Sequence, residues 1–83
     1  MHPESLARIE AIASYCEKVD PGGQSQYISK LAGMTSGHFD DELQRDRDTI
    51  KYRQAMAQAN EMLAKVTPAR AARGCTEFLA DGQ

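Results

Sequence analysis

The first helix of this chain is set by residues 3–23, which read PESLARIEAIASYCEKVDPGG. Proline is tolerated at the first position of a helix because the N–H group that it lacks would be unpaired there. Apolar side chains then recur at helical spacing along one face: Leu6, Ile9, Ile12, Ala13, Cys16 and Val19. Residues 20–23 end the pattern, since a residue before proline avoids helical angles and glycine permits a turn. The sequence therefore predicts a helix over residues 3–19.

A second, shorter helix is predicted over residues 25–32. Gly33 is placed to close it in a left-handed conformation, which glycine adopts without strain. The hydroxyl of Thr35 or Ser36 is then expected to cap the next helix by accepting from its unpaired N–H groups.

From residue 36 to residue 66 the pattern stays helical, but its apolar face changes sides between Ile50 and Tyr52. A single straight helix would bury opposite faces at its two ends. We therefore favour a break within residues 46–48, with Asp48 capping the helix that follows. Thr67 is the expected cap of the last helix, and Pro68 its first residue.

These segments predict a single all-α domain over residues 1–83: a small bundle of four or five short helices containing a helix-turn-helix-like corner. The apolar fraction is 41 %, much of it alanine, with no tryptophan, so the core is expected to be thin. A thin core favours a homodimer or a complex with a partner. The side chains predicted to be largely buried are Leu6, Ile9, Ile12, Cys16, Ile28, Leu31, Phe39, Leu43, Leu63 and Phe78.

The two cysteines, Cys16 and Cys75, each lie inside an apolar stripe and form no CxxC pair. Buried structural thiols are common in that setting, and a reducing cytosol would keep them reduced. No apolar run is long enough to span a membrane, and the first residues lack the layout of a secretory signal. We therefore expect a cytoplasmic protein with no membrane contact.

The clearest local pattern runs from Tyr27 to Leu43, residues 27–43, and includes LAGMTSGHF. It predicts a helix, a tight glycine turn and a capped helix, with Met34 and Phe39 packing the second helix onto the first. This stretch resembles the first helix-turn-helix of AraC-type transcriptional regulators. The resemblance implies DNA binding, with a recognition helix near residues 35–46 lying in the major groove.

Charge argues for a different function. The net charge is −2, with −2 on residues 1–23, −2 on residues 24–48 and +2 on the remainder. The helix that would read DNA begins with Asp40, Asp41 and Glu42, whose carboxylates would face phosphates. These carboxylates could instead meet a protein partner, mimic a nucleic-acid surface, or simply favour the start of a helix through its dipole.

No catalytic or metal site is legible, and no cofactor is predicted. His38 lies one helical turn from Asp41 and Glu42, but one imidazole with two mobile carboxylates makes a poor metal site. Neither cysteine has a neighbouring histidine that would make it a nucleophile. The sequence therefore predicts that the protein is not an enzyme.

The first functional hypothesis is a non-enzymatic protein-interaction module: a small adaptor, inhibitor or regulatory subunit that binds a larger protein. Its support is the thin core, the uneven charge and a stripe of methionine and alanine between residues 52 and 66. The alternative is a DNA-binding regulator that uses residues 27–43. The predicted partner-binding residues are Asp40, Asp41, Glu42, Arg45, Tyr52, Met56, Met62, Arg70 and Arg73.

Overall fold

A computed structural model describes residues 1–80 of the protein, and these form five α-helices. In chain order they are α1 (Pro3–Val19), α2 (Gln24–Thr35), α3 (Asp40–Arg47), α4 (Ile50–Leu63) and α5 (Pro68–Ala80), with a 3₁₀ turn, Pro21–Gly23, after α1. The described residues include no strand. The predicted all-α bundle of short helices is confirmed. None of the described helices is long and apolar enough to cross a membrane.

Two helix starts follow the side-chain chemistry of their caps. A break separates α3 from α4, as predicted, but the cap of α4 is Thr49 and not Asp48: the Thr49 hydroxyl accepts from the backbone N–H of Tyr52 at 3.1 Å. The predicted cap of the last helix is confirmed, because the hydroxyl of Thr67 accepts from the backbone N–H of Arg70.

The end of α2 differs from the prediction. Gly33 lies inside the helix and does not close it, because α2 continues to Thr35. The Thr35 hydroxyl donates to the carbonyl of Leu31 at 3.1 Å, so it is used at the end of α2 and is not the cap of the next helix. Phe39 occupies the cap position of α3 in an extended conformation without a side-chain hydrogen bond.

The longest helix, α1, lies at the centre of the fold and contacts each of the other four helices. Its contact with α4 is the most extensive. By contrast, α4 and α5 both lie against α1 without approaching each other: no Cα atom of one comes within 8 Å of a Cα atom of the other. This arrangement leaves a gap over α1, between two of the helices that cover it.

The core is built largely from small side chains. Leu6, Cys16 and Leu43 are buried as predicted, together with five alanines and a tyrosine that were not predicted: Ala7, Ala11, Ala13, Ala55, Ala71 and Tyr27. Alanine permits close approach of helices, so apart from Leu6, Leu43 and Tyr27 the large side chains lie beside the contacts. Accordingly, five of the predicted core residues are only half-buried: Ile9, Ile12, Leu31, Leu63 and Phe78.

For Ile28 and Phe39 the core prediction is wrong, since they are 52 % and 79 % exposed. On α2 the chain buries Tyr27 in place of Ile28, and the Tyr27 hydroxyl donates to Asp20 at 2.9 Å. Burial, and then this hydrogen bond, raise the pKa of Tyr27. A partnered hydroxyl allows a tyrosine to enter the core.

The two cysteines do not remain thiols. Cys16 of α1 and Cys75 of α5 form a disulfide, with their Cα atoms 5.7 Å apart and a sequence separation of 59. With Tyr27 they make a buried cluster, and Phe78 and Leu79 of α5 pack against it. The expectation of free buried thiols is therefore wrong. Each cysteine lies on the apolar stripe of its helix, and the packing of α5 on α1 brings the two stripes together.

The disulfide is expected to supply much of the stability of this domain. Closing a loop of this length removes conformational entropy from the unfolded chain that corresponds to about 4 kcal/mol, a large part of the total for a small domain. We predict that the double variant Cys16→Ala, Cys75→Ala loses about that amount in urea unfolding. Dithiothreitol should lower the midpoint of the wild-type protein but leave that of the variant unchanged. Equal midpoints for the reduced and oxidised wild-type protein would contradict this prediction.

Candidate functional site

The helix-turn-helix packing predicted for residues 27–43 is not formed. A short turn does connect α2 to α3, but no Cα atom of α2 lies within 8 Å of one of α3. Met34 and Phe39, the residues expected to pack the two helices together, are 40 % and 79 % exposed. The reason is that α3 lies against α1 and α4, where Leu43 is buried.

A cluster of polar side chains fixes α3 and α4 to α1. Glu10 accepts hydrogen bonds from the guanidinium of Arg47, at 2.6 Å and 3.0 Å, and from the hydroxyl of Tyr52. Burial and the bond to Glu10 raise the pKa of Tyr52 to about 12. This cluster is internally paired and spans three helices, so it holds the fold together and leaves no reactive group unpartnered.

A second cluster lies where the amino group of Met1 meets α3. This amino group is 3.3 Å from a carboxylate oxygen of Glu42 and 4.0 Å from one of Asp46, and the ring of His38 is 2.9 Å from Glu42. The hydrogen bond with His38, and then that with the amino group, lower the pKa of Glu42. Glu42 is therefore already engaged within the chain.

The gap between α4 and α5 forms an elongated apolar groove over α1. It consists of three adjoining depressions that share Ile12: one of about 240 Å³ is lined by residues of both α4 and α5, one of about 360 Å³ lies along α4, and one of about 640 Å³ lies along α5. We call it the α4–α5 groove; its main lining residues are Ile12 and Tyr15 of α1, Met62 and Leu63 of α4, and Ala71 and Gly74 of α5. Met62, at the edge of the groove, is 71 % exposed beside the half-buried Leu63.

The charged residues that line the groove are mainly basic. Arg8 and Arg70 line it with one carboxylate, Glu77. Both arginines are exposed, and neither forms an ion pair with a carboxylate of residues 1–80. Arg47, by contrast, is paired with Glu10. The groove thus presents apolar surface beside two unpaired guanidinium groups.

The structure separates the predicted partner-binding residues into three groups. Met62 and Arg70 line the groove. Tyr52 and Glu42 belong to the polar clusters within the chain. The other five line no part of the groove. Of these, Met56 is half-buried, and four are exposed: Asp40, Asp41, Arg45 and Arg73.

Three residues that line the groove, Arg8, Ile12 and Gly74, were not among the predicted partner-binding residues. Ile12 was expected to be buried, and it forms the floor of the groove. Gly74 interrupts the apolar stripe of α5 between Ala71 and Cys75, and a glycine inside a helix is a signal that could have been used. Which neighbour it faces depends on how α5 packs.

Among residues 1–80, no group of three or more histidines, cysteines and carboxylates is arranged to hold a metal ion. Comparison with protein families, with curated proteins and with solved structures finds no match to this chain.

The pKa of Tyr52 gives a testable pH dependence. The phenol ionises near pH 10.0 in the unfolded chain and near pH 12 in the folded protein, so its contribution to stability is complete below pH 10.0 and is lost as the pH rises towards 12. We predict that wild-type stability falls more steeply over this range than that of Tyr52→Phe. At neutral pH the variant should be about 1 kcal/mol less stable, through the lost bond to Glu10. If the free energies of unfolding of the two proteins, measured in urea, fall in parallel between pH 10.0 and 12, the pKa of Tyr52 is not raised in the folded protein.

Proposed function

We propose that this protein is a non-enzymatic interaction module, a small adaptor, inhibitor or regulatory subunit, that binds a larger protein through the α4–α5 groove. The observation that carries the proposal is the open apolar groove itself. Ile12 and Leu63 are half-buried on its floor and walls, while Met62 is 71 % exposed. A partner that covered these side chains would remove their apolar surface from water.

Gly74 supports this surface as the binding site. Glycine inside a helix is destabilising by about 0.5–1 kcal/mol relative to alanine, yet a Cβ atom added at Gly74 would meet nothing within 4 Å. Packing within residues 1–80 therefore gives no reason for a glycine at this position of α5, as it gives none at Gly33 of α2; of the two, only Gly74 lines the apolar groove. Close approach of a bound partner to the helix backbone would give one.

The DNA-binding alternative has less support. Its two helices are not packed together, and the first turn of α3 carries Asp40 and Asp41, both exposed. These carboxylates would repel the phosphates that supply most of the affinity of DNA-binding proteins. The two unpaired arginines of the groove belong to α1 and α5, and neither is on α3.

The cytoplasmic location remains a prediction, and the disulfide weakens its basis. The prediction assumed thiols kept reduced in the cytosol, whereas a bond between Cys16 and Cys75 persists most readily in an oxidising compartment. Trapping of thiols with an alkylating reagent at the moment of cell lysis distinguishes the two: modified cysteines place the protein in a reducing compartment, and unmodified cysteines in an oxidising one.

The test of the groove compares leucine at two helical glycines. Gly74→Leu fills the groove, while Gly33→Leu introduces the same side chain on α2, no residue of which lines the groove. Both positions have open space for a Cβ atom, and leucine favours helix over glycine, so both variants should be at least as stable as the wild type.

We predict that immobilised wild-type protein and Gly33→Leu retain the same protein from a native lysate treated with nuclease, and that Gly74→Leu retains at least about tenfold less of it. A tenfold loss corresponds to about 1.4 kcal/mol, which a single steric clash readily supplies. Thermal unfolding of all three proteins verifies that they are folded. Equal retention by the two leucine variants would remove the groove from the proposed function.

A further inference from the structure

We propose that the occupant of the α4–α5 groove is an amphipathic α-helix of another protein, with carboxylate side chains beside its apolar stripe. This inference rests on the proposed function and specifies the chemistry of the partner. It combines three features of the groove: its position between two helices, the open space at Gly74, and the unpaired arginines Arg8 and Arg70.

The position of the groove suits a helix. Here α4 and α5 flank α1 with no pair of their Cα atoms within 8 Å, and residues of all three helices line the groove, so a helix laid between α4 and α5 would rest on all three. Such a helix is about 10 Å wide and presents apolar side chains at three- and four-residue spacing. Those side chains would contact Ile12, Leu63 and Ala71, which already form an apolar surface.

The open space at Gly74 is where the partner helix would come closest to the backbone of α5. A Cβ atom built there meets nothing within 4 Å, and the cavity beside it, of about 240 Å³, is lined by Ile12, Leu63 and Val66 among others. One large apolar side chain of the partner, such as leucine or phenylalanine, can enter this cavity and lie against the bare backbone of α5. Apolar anchors of this kind carry most of the affinity of helix-in-groove complexes.

The charge of the groove selects the polar face of the partner. Arg8 and Arg70 lie among the lining residues on different helices, and neither has a carboxylate partner among residues 1–80. The single lining carboxylate, Glu77, belongs to the cavity beside Phe78. A partner helix with aspartate or glutamate beside its apolar stripe would neutralise both guanidinium groups, and lysine in those places would be repelled.

A second copy of this chain does not offer such a helix. The acidic helix, α3, buries its one large apolar side chain, Leu43, and Glu42 is already engaged by His38 and the amino group of Met1. Helix α2 exposes the apolar residues Ile28 and Met34, but it contains no carboxylate. The remaining helix with large exposed apolar residues and a carboxylate, α4, forms a wall of the groove itself, so we assign the occupant to another protein.

The experiment uses three synthetic peptides of the same length. The second differs from the first only in the charge of its polar residues, and the third only in the order of its residues. The first is a helical peptide with an acetylated N-terminus and an amidated C-terminus. Its leucines are spaced alternately three and four residues apart, so that they form one stripe, and glutamates lie beside this stripe. The second replaces each glutamate by lysine, and the third is a scrambled form of the first that has no apolar stripe. Each is titrated against the oxidised full chain by isothermal calorimetry and by fluorescence anisotropy.

We expect the glutamate peptide to bind at least about tenfold more tightly than the lysine peptide, and the scrambled peptide not to bind, because two charge pairs change from attraction to repulsion. The double variant Arg8→Glu, Arg70→Glu should reverse the order of the two peptides. Its matched control is Arg53→Glu, Arg73→Glu, which changes two exposed arginines outside the groove and should leave the order unchanged.

Each contrary result has a defined meaning. Equal binding of the glutamate and lysine peptides overturns the acidic character of the partner, and equal binding of the scrambled peptide overturns its helical stripe. Sedimentation equilibrium that shows a dimer broken by Gly74→Leu but not by Gly33→Leu overturns the inference in favour of a second copy. If no peptide binds while capture from lysate still depends on Gly74, this inference fails and the proposed function stands. If capture does not depend on Gly74, the proposed function fails as well.

Discussion

The link between α1 and α5 is the constraint on which the rest of the structure depends. Among residues 1–80, α5 packs only on α1 and α2, and its buried residues are Ala71 and Cys75. Helices this short are marginal alone, and one held by so little apolar area would separate readily. The bond from Cys75 to Cys16 holds α5 against α1 near the C-terminal end of α1. One wall of the groove therefore exists because of a covalent bond.

The small side chains of the core explain why this bond is needed and why the groove remains open. Ala7, Ala11 and Ala13 make the contacts of α1 close but contribute little apolar area each. The larger residues then fall beside these contacts: Ile12 is left half-buried on the floor of the groove, and Met62 is exposed at its edge. Weak burial and an open apolar surface have the same origin, which is the use of alanine at the helix contacts of the core.

The arginines divide into two roles that the residue type alone does not distinguish. Arg47 is tied to Glu10, and this pair, with Tyr52, fixes three helices relative to one another. Arg8 and Arg70 have no carboxylate partner within residues 1–80 and lie beside apolar surface. A paired, half-buried charge resists removal because its partner would be left uncompensated, whereas an unpaired charge at the edge of a groove can select a ligand.

The sequence by itself determined the local structure. Helical spacing, the proline at the start of α1, the turn at residues 20–23 and the break before α4 all depend on neighbouring residues, and these were predictable. Only the tertiary structure decided which side chains meet. It buried Tyr27 and exposed Ile28, joined Cys16 to Cys75 across 59 residues, and placed Arg8, Ile12 and Gly74 along one groove. The physical reason is that periodicity specifies the face of a helix, while the helix that covers this face is chosen by the packing of the whole chain.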